Sequence, residues 1–149
     1  MIKKILVPSD GSKTSQKAVK YAVGLAKQTG SSIILLSVID KSSFIPQSIP
    51  STATQKNITE PLEDYLKEAS QAHLEESSQS CTKNGVQAKT VIRSGHPVEE
   101  IIKEAKKSNV DLIIVGSHGR SALKAALLGS VTFGVIHKDT KIPVLVVRR

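Results

Sequence analysis

The chain has 149 residues and a formal net charge of +8; 39% of its residues are hydrophobic and 3% are aromatic. This length predicts one soluble domain, residues 1–149, which buries roughly two thirds of its unfolded surface and needs no disulfide or structural metal. Its single cysteine excludes an intramolecular disulfide and a cysteine-rich zinc site. Its few aromatic side chains argue against a protein that stacks on the bases of single-stranded nucleic acid.

The charge is uneven along the sequence. Residues 1–50 carry a net +5, residues 51–100 carry −3 and residues 101–149 carry +6. The lysines are scattered, with no run of five, so we expect most of this charge on solvated surface and no nucleic-acid partner. No apolar run approaches the ~20 residues that span a bilayer, so we expect no membrane partner. The amino-terminal apolar stretch is too short for a signal peptide, which predicts a cytoplasmic location.

The first forty residues predict a strand, a helix and a strand. Residues 2–7, IKKILV, form a short run rich in branched side chains, which ends at Pro8 and indicates a buried strand. Ser12 opens a stretch with apolar residues at helical spacing, and Gly30 is well placed to end that helix. Residues 33–39, IILLSVI, are apolar on both faces, which is typical of a parallel sheet covered on both sides.

The pattern breaks in the middle of the chain. Residues 41–58 contain two prolines and many Ser, Thr and Gln residues, which predict a long loop. A polar helix is predicted from about Glu60 to Lys83, ended by Gly85. We expect its weaker inner side to be traced by Leu62, Leu66, Ala69, His73 and Ser77.

Two further strand and helix pairs and a last strand follow. Residues 86–93 alternate as VQAKTVIR and predict an edge strand, and Pro97 opens the next helix. Residues 111–115 predict a buried strand, residues 131–137 a helix and residues 143–147 a final strand. Because parallel crossovers are right-handed, this order predicts an α/β fold: a doubly wound, five-stranded parallel sheet with helices on both faces, similar to a Rossmann fold.

Glycines and hydroxyl residues follow two of the predicted strands. In such sheets ligands bind beyond the carboxyl ends of the strands, where the strand order reverses. Glycines let backbone N–H groups approach an anion closely, and a helix start offers unpaired donors. Asp10 could accept hydrogen bonds from a base or ribose, or hold a metal, while Arg120 and Lys124 could supply positive charge. The segments concerned are PSDGS (8–12), GSHGRS (116–121) and GSVT (129–132).

Two familiar phosphate-binding motifs are absent. The chain has no Walker A string and no Gly-x-Gly-x-x-Gly fingerprint; GSHGRS offers only Gly-x-x-Gly. Taken alone, two glycines spaced in this way are equally typical of a tight turn between a strand and a loop.

Four segments together resemble the universal stress protein family: KILVPSDGS near the start, VGSHGRS after the fourth strand, GSV nine residues after its second glycine, and PVLVVR at the end. The resemblance covers Ile5 to Arg148. In that family the pattern Gly, two residues, Gly, nine residues, Gly-Ser/Thr marks the ATP-binding branch, and here it is intact as Gly116, Gly119, Gly129 and Ser130. The resemblance implies the fold of the adenine nucleotide alpha hydrolases.

The resemblance also implies roles for individual residues. Asp10 and Val38 would contact the adenine, with Pro8 nearby; residues 116–121 would wrap the ribose and phosphates; and residues 130–132 would bind the phosphates through backbone and hydroxyl groups. The final strand, Val144 to Val147, looks like the family's dimerisation strand, although a simple edge strand has the same pattern. The candidate site comprises Pro8, Ser9, Asp10, Val38, Gly116, Ser117, His118, Gly119, Arg120, Ser121, Gly129, Ser130, Val131 and Thr132.

The leading hypothesis is a dimeric ATP-binding stress protein that uses ATP, alone or with Mg²⁺ or Mn²⁺, as a ligand or regulator and hydrolyses it slowly at most. One alternative is a nucleotide-free signalling module of the same fold. Another is a true ATPase with His118 or Asp10 as the base. Ser117, His118 and Asp10 also contain the residue types of a hydrolytic triad, but Ser117 lacks the Gly-x-Ser-x-Gly setting of a nucleophile. The four histidines have no shared metal spacing, and Cys81 is expected to be a spectator.

Overall fold

Five parallel strands form one sheet in a computed structural model of the chain, which describes residues 1–40, 52–119, 128–138 and 140–149, without the side chains of 52–59. The strand order is β3-β2-β1-β4-β5, so the chain moves outward in one direction and then returns to the other side of β1. This confirms the predicted doubly wound sheet. The strands are β1 (Lys4–Pro8), β2 (Ser32–Ile39), β3 (Ala88–Ser94), β4 (Leu112–Gly116) and β5 (Val144–Val147).

Four helices connect the strands and cover the two faces. One buried cluster joins the helices α1 and α2 to one face of the sheet, and a second joins α3 and α4 to the opposite face. Alternate residues of a strand enter opposite clusters, for example Ile33 and Ile34 of β2, as the period of two requires. The helices are α1 (Lys13–Thr29), α2 (Thr52–Lys83), α3 (Pro97–Lys107) and α4 (Ser130–Ile136).

Local signals in the sequence set the ends of α1. The Ser12 hydroxyl accepts a hydrogen bond from the Ser15 amide at 3.2 Å, which satisfies one of the free donors of the first turn. Gly30 ends the helix with φ of 73°, a left-handed conformation that costs a glycine nothing, and its amide donates to the Ala26 carbonyl. Both ends of α1 are therefore defined by local hydrogen bonds.

The structure corrects two predictions in the middle of the chain. Residues 52–58, predicted as loop, belong to α2, while residues 41–51 lie outside the described residues. Once a helix is nucleated, adding polar residues to its end costs little, so composition was a poor guide here. The predicted inner side of α2 was right only in part: Leu66, His73 and Ser77 are half-buried, but Leu62 and Ala69 are exposed. The buried residues of this helix are Ser70, Leu74 and Cys81. None of the helices in the described ranges combines the length and apolarity needed to cross a membrane.

Candidate functional site

The loops that follow β1 and β4 meet at the carboxyl edge of the sheet. The two strands are neighbours, with Ile5 opposite Leu112, although more than a hundred residues separate them in the chain. A Cβ placed on Gly119 would lie 2.8 Å from the Asp10 carboxylate oxygen Oδ2, closer than a real Cβ contact. The Gly-x-x-Gly loop therefore approaches the predicted Asp10 so closely that it needs glycine at this point. This is also the place where the strand order reverses, the usual ligand position in such sheets.

The β1–α1 loop presents an exposed carboxylate on a rigid base. The Ser9 amide donates to the Leu36 carbonyl at 2.8 Å, and its buried hydroxyl donates to the Ser15 hydroxyl at 3.2 Å. Asp10 itself is exposed, and its Oδ1 accepts from the Ser12 amide at 2.9 Å. The carboxylate is thus held in one orientation by the start of α1 while remaining open to solvent.

Gly116 allows α1 to approach the end of β4. A Cβ on Gly116 would lie 2.7 Å from Cγ2 of Thr14 and 3.0 Å from the Thr14 carbonyl oxygen. Thr14 belongs to the first turn of α1, so this glycine fixes how closely that helix packs against β4. Thr14 could not be recognised from the sequence, because the contact is made between segments distant in the chain.

Ser117 and His118 are both buried and bonded to each other. The Ser117 hydroxyl and Nδ1 of His118 are 2.8 Å apart, and the Ser117 amide donates to the Val147 carbonyl at 2.8 Å. Only 3% of Ser117 and 8% of His118 is exposed. Because both side chains are buried and bonded to each other, a ligand would contact Ser117 and His118 through their backbone groups.

The start of α4 packs on the same loop. The Gly129 amide donates to the Ser117 carbonyl at 2.7 Å, and a Cβ on Gly129 would lie 3.2 Å from the His118 Cα. The Thr132 hydroxyl donates to the Gly116 carbonyl at 2.6 Å. That hydroxyl proton is therefore already used within the protein, which leaves Thr132 its backbone for a ligand.

Among the residues that the structure describes, no side chain caps the amino end of α4. Gly129 is the N-cap residue with extended backbone, and it makes no side-chain capping bond. Ser130 and Val131 are exposed at this end. The amides of the first helical turn therefore face the same edge as Gly119, and no side chain in the described ranges is bonded to them at the cap.

The remaining predicted site residues lie at the rim or outside the described residues. Pro8 ends β1 and Val38 lies near the end of the neighbouring β2, and both are half-buried. The structure does not describe Arg120, Ser121 or Lys124, so their predicted roles lie outside its range. Each described residue of the predicted site lies on β1, β2, β4, α4 or the connecting loops at the carboxyl edge.

The edge strand β5 presents, on its outer side, a row of backbone groups that pair with no other described strand. The amides of Ile113 and Ser117 donate to the carbonyls of Pro143 and Val147, so odd-numbered residues of β5 bond to β4. By the period of two, the backbone groups of Val144 and Val146 face away from the sheet. All four side chains of β5 are half-buried.

Neither Cys81 nor a metal cluster adds to the chemistry of this site among the described residues. Cys81 is fully buried, and its burial raises the pKa of the thiol, which lowers its reactivity. Within the described ranges, no three His, Cys, Asp or Glu side chains are grouped to hold a metal ion.

The chain is similar to known proteins along its whole length. Residues 1–148 match the model of the universal stress protein family. The chain is 39% identical to universal stress protein MJ0577 of Methanocaldococcus jannaschii, with 100% of this chain and 96% of that protein covered. The solved structure of MJ0577 superposes with a TM-score of 0.86 at 38% identity, covering 100% of this chain and 97% of that chain.

Two other solved structures share the fold. Universal stress protein UspA from Lactobacillus plantarum superposes with a TM-score of 0.87 at 26% identity, and 99% of this chain and 98% of that chain are covered. A universal stress protein family member from Arabidopsis thaliana, solved with AMP bound, has a TM-score of 0.66 at 21% identity over 99% of this chain and 92% of that chain. At that identity the Arabidopsis protein shows the shared fold alone.

Proposed function

The chain belongs to the universal stress protein family, and from that premise we propose that it binds ATP at the carboxyl edge of its sheet. ATP serves there as a ligand or regulator of a cytoplasmic homodimer in a stress response. The observation that carries the proposal is the contact between Asp10 and Gly119, which brings the two predicted loops together where the strand order reverses.

The shape and polarity of the edge fit an adenine nucleotide. Asp10 supplies an exposed, oriented acceptor for ribose or adenine donors, and Val38 supplies an apolar neighbour at the end of β2. Gly119 is exposed and has no side chain to cover its backbone, so a phosphate chain can approach it, while Gly129 lets the start of α4 pack closely on the same loop. The Arabidopsis relative with AMP bound indicates that this fold can hold an adenine nucleotide.

The same geometry favours binding over rapid hydrolysis. His118, one of the two candidate bases, is buried and bonded to Ser117 through Nδ1. Asp10 is exposed, yet its Oδ1 accepts from the Ser12 amide. Steady-state release of phosphate from ATP with Mg²⁺ or Mn²⁺ should therefore be slow. Fast multiple turnover would instead support the ATPase alternative.

The first prediction tests the site with one substitution and a matched control. Gly119→Val places a branched side chain against the Asp10 carboxylate and in the path of the phosphates, so ATP affinity should fall at least about tenfold, or ~1.4 kcal/mol. Gly24→Val makes the same change in the middle of α1, where an added Cβ meets nothing within 4 Å. That variant should bind ATP as the native protein does. Isothermal titration calorimetry measures all three affinities.

Two results would reject the proposal. Equal ATP affinity in the native protein and Gly119→Val would show that the nucleotide does not lie on the glycine loop. An absence of ATP binding by the native protein, together with no nucleotide in the purified protein by mass spectrometry, would favour the nucleotide-free signalling module.

A further inference from the structure

Lysines that are scattered in the sequence gather at the amino edge of the sheet, opposite the proposed nucleotide site. Strands of a parallel sheet begin at this edge, and the four connecting helices end there. All the lysines concerned are exposed. We call this group the lysine face: Lys3, Lys4, Lys27, Lys83, Lys89, Lys106, Lys107, Lys138 and Lys141.

The lysine face carries a large excess of positive charge. Among the described residues, Asp111 is the carboxylate that lies beside it, hydrogen-bonded to the backbone of Lys3 and Lys4. Among the described residues, nine lysines and this aspartate give the face +8; Asp139, which stands between Lys138 and Lys141 in the sequence, is not counted. Glu104 lies one turn inside α3, buried and paired with Arg93 at 3.1 Å. Asp139 lies outside the described residues.

Helix energetics explain only part of this arrangement. Lysine is favourable in the last turn of a helix, where the partial charge is negative, and Lys27, Lys83, Lys106 and Lys107 hold such positions. The other five precede or begin strands, or follow α4, and gain nothing of this kind. Within the described part of the chain, none of the nine forms an ion pair with a carboxylate. Two donate to neutral oxygens: Lys4 to the Ser108 carbonyl and Lys27 to the Asn84 side chain.

A recess of mixed polar and apolar lining opens in the lysine face. It has a volume of about 720 Å³ and runs from the start of β1 to the start of β3. Lys4 and Lys89 line it together with the hydroxyl residues Ser32, Thr82 and Ser108. Lys4 and Lys89 supply the positive charge of the recess, and ammonium groups bind phosphate oxygens well. The three hydroxyl protons are already donated within the protein, to oxygens of Lys3, Ser78 and Glu104.

We propose that the lysine face binds the phosphate backbone of double-stranded nucleic acid without reading its sequence. Five strands spaced about 4.8 Å apart give an edge of about 19 Å. A duplex carries one charge per ~1.7 Å, so about eleven phosphates occupy that length. This charge density is comparable to the +8 of the face, whereas an ordinary protein partner would need a concentrated run of carboxylates to match it.

The mode of binding follows from what the edge presents. The helices meet it with their carboxyl ends, so none is laid out to enter a major groove and contact base edges. The exposed aromatic side chains among the described residues, Tyr21, Tyr65 and Phe133, lie on helices α1, α2 and α4, away from the strand starts. Lysine ammonium groups contacting phosphates are therefore the main source of affinity, and affinity should not depend on sequence.

The second prediction compares two triple variants of equal charge. Lys89→Gln, Lys106→Gln and Lys107→Gln remove three charges from the lysine face, and Lys17→Gln, Lys20→Gln and Lys67→Gln remove three exposed charges elsewhere. The probe is a fluorescent 30-base-pair DNA duplex of random sequence, measured by anisotropy over a range of NaCl concentrations. The face variant should bind at least about tenfold more weakly, and its slope of log affinity against log salt should fall by about 2.7. The control variant should stay within about threefold of the native protein.

Three outcomes would overturn the proposal. The first is that the native protein fails to bind the duplex at low salt. The second is that both triple variants lose affinity equally, which would make net charge the cause. The third is that polyglutamate competes as well as unlabelled duplex, which would indicate an acidic protein partner. Circular dichroism verifies that each variant is folded. ATP affinity should be unchanged in the face variant, so failure of this proposal leaves the nucleotide site untouched.

Discussion

Asp111 joins two strands at their beginnings. Its Oδ2 accepts hydrogen bonds from the backbone amides of Lys3 at 2.8 Å and Lys4 at 3.0 Å. Both bonds favour the ionised form and hold the pKa of the Asp111 carboxyl below its usual range, and the bond from the Lys3 amide has the larger effect. One side chain before β4 thus fixes the position of the start of β1.

The third prediction concerns stability against pH. Because the folded pKa of Asp111 lies below the unfolded value of about 3.9, this carboxylate contributes stability above pH ~4 and loses it as the pH falls through the folded pKa. Asp111→Asn should lower the free energy of unfolding at pH 7, and the difference from the native protein should shrink in acid. Urea unfolding at several pH values measures this. A difference that stays constant with pH would contradict the assignment.

The residues of the site were only partly predictable from sequence. Asp10 and Gly119 were marked by the family's motifs, and the structure places them against each other. The contact of Gly116 with Thr14 and the bond from Thr132 to the Gly116 carbonyl were not foreseeable, because both depend on how helices dock onto β4. Motifs name residue types, whereas tertiary packing decides which of their atoms remain available.

Helices α1 and α4 each contain a glycine, with opposite surroundings. In α4, a Cβ on Gly134 would lie 2.6 Å from Cγ2 of Val98, so this glycine lets α4 pack tightly against α3. In α1, an added Cβ on Gly24 would meet open space. One glycine is required by helix packing and the other only lowers helix propensity.

The fourth prediction follows from that difference. Gly24→Ala should raise the free energy of unfolding by about 0.5–1 kcal/mol, since alanine is the better helix former. Gly134→Ala should lower it by about 1–2 kcal/mol, because the stiff Val98 side chain must move away. Urea denaturation of the two variants measures both values. If Gly134→Ala proved as stabilising as Gly24→Ala, the tight packing of α4 on α3 would be wrong.

Elements were predictable where hydrophobic pattern was strong. The strands β1, β2 and β4 are short apolar runs, and their buried cores match the prediction. The helix α2 has a weak pattern, so both its start and its inner face were misjudged. A mostly solvated helix leaves few apolar positions from which its orientation can be deduced.

The fifth prediction concerns the assembly of the whole molecule. Val146→Pro removes an N–H that points away from the sheet and should leave the bonds of β5 to β4 in place, so the proposed homodimer should dissociate. Thr90→Pro is the matched control at the opposite edge of the sheet. The Ile33 amide donates to the Gln87 carbonyl and the Gly95 amide donates to the Ile39 carbonyl, so odd-numbered residues along β3 bond to β2. The backbone groups of Thr90 therefore face outward. Analytical ultracentrifugation should find Val146→Pro monomeric and Thr90→Pro dimeric. A native monomer would contradict the proposed dimer.

Sheet order and charge differ in how well sequence predicts them. Crossover handedness and the alternation of strands and helices were enough for the doubly wound sheet. The lysine face was not foreseen, because its members are up to 138 positions apart and only the topology brings them to one edge. Distribution of charge along a sequence is therefore a poor guide to distribution over a parallel sheet.

Pairing of two copies through the edge strand β5 would determine where their two lysine faces lie relative to each other. A two-fold axis parallel to the strands would set N–H groups opposite N–H groups, so two copies joined through this edge must run antiparallel. The joined sheets would then have ten strands, with one lysine face at the top and the other at the bottom. Such a dimer would bind one polyanion at each of its two opposite lysine faces, and its assembly would bring the two polyanions close together.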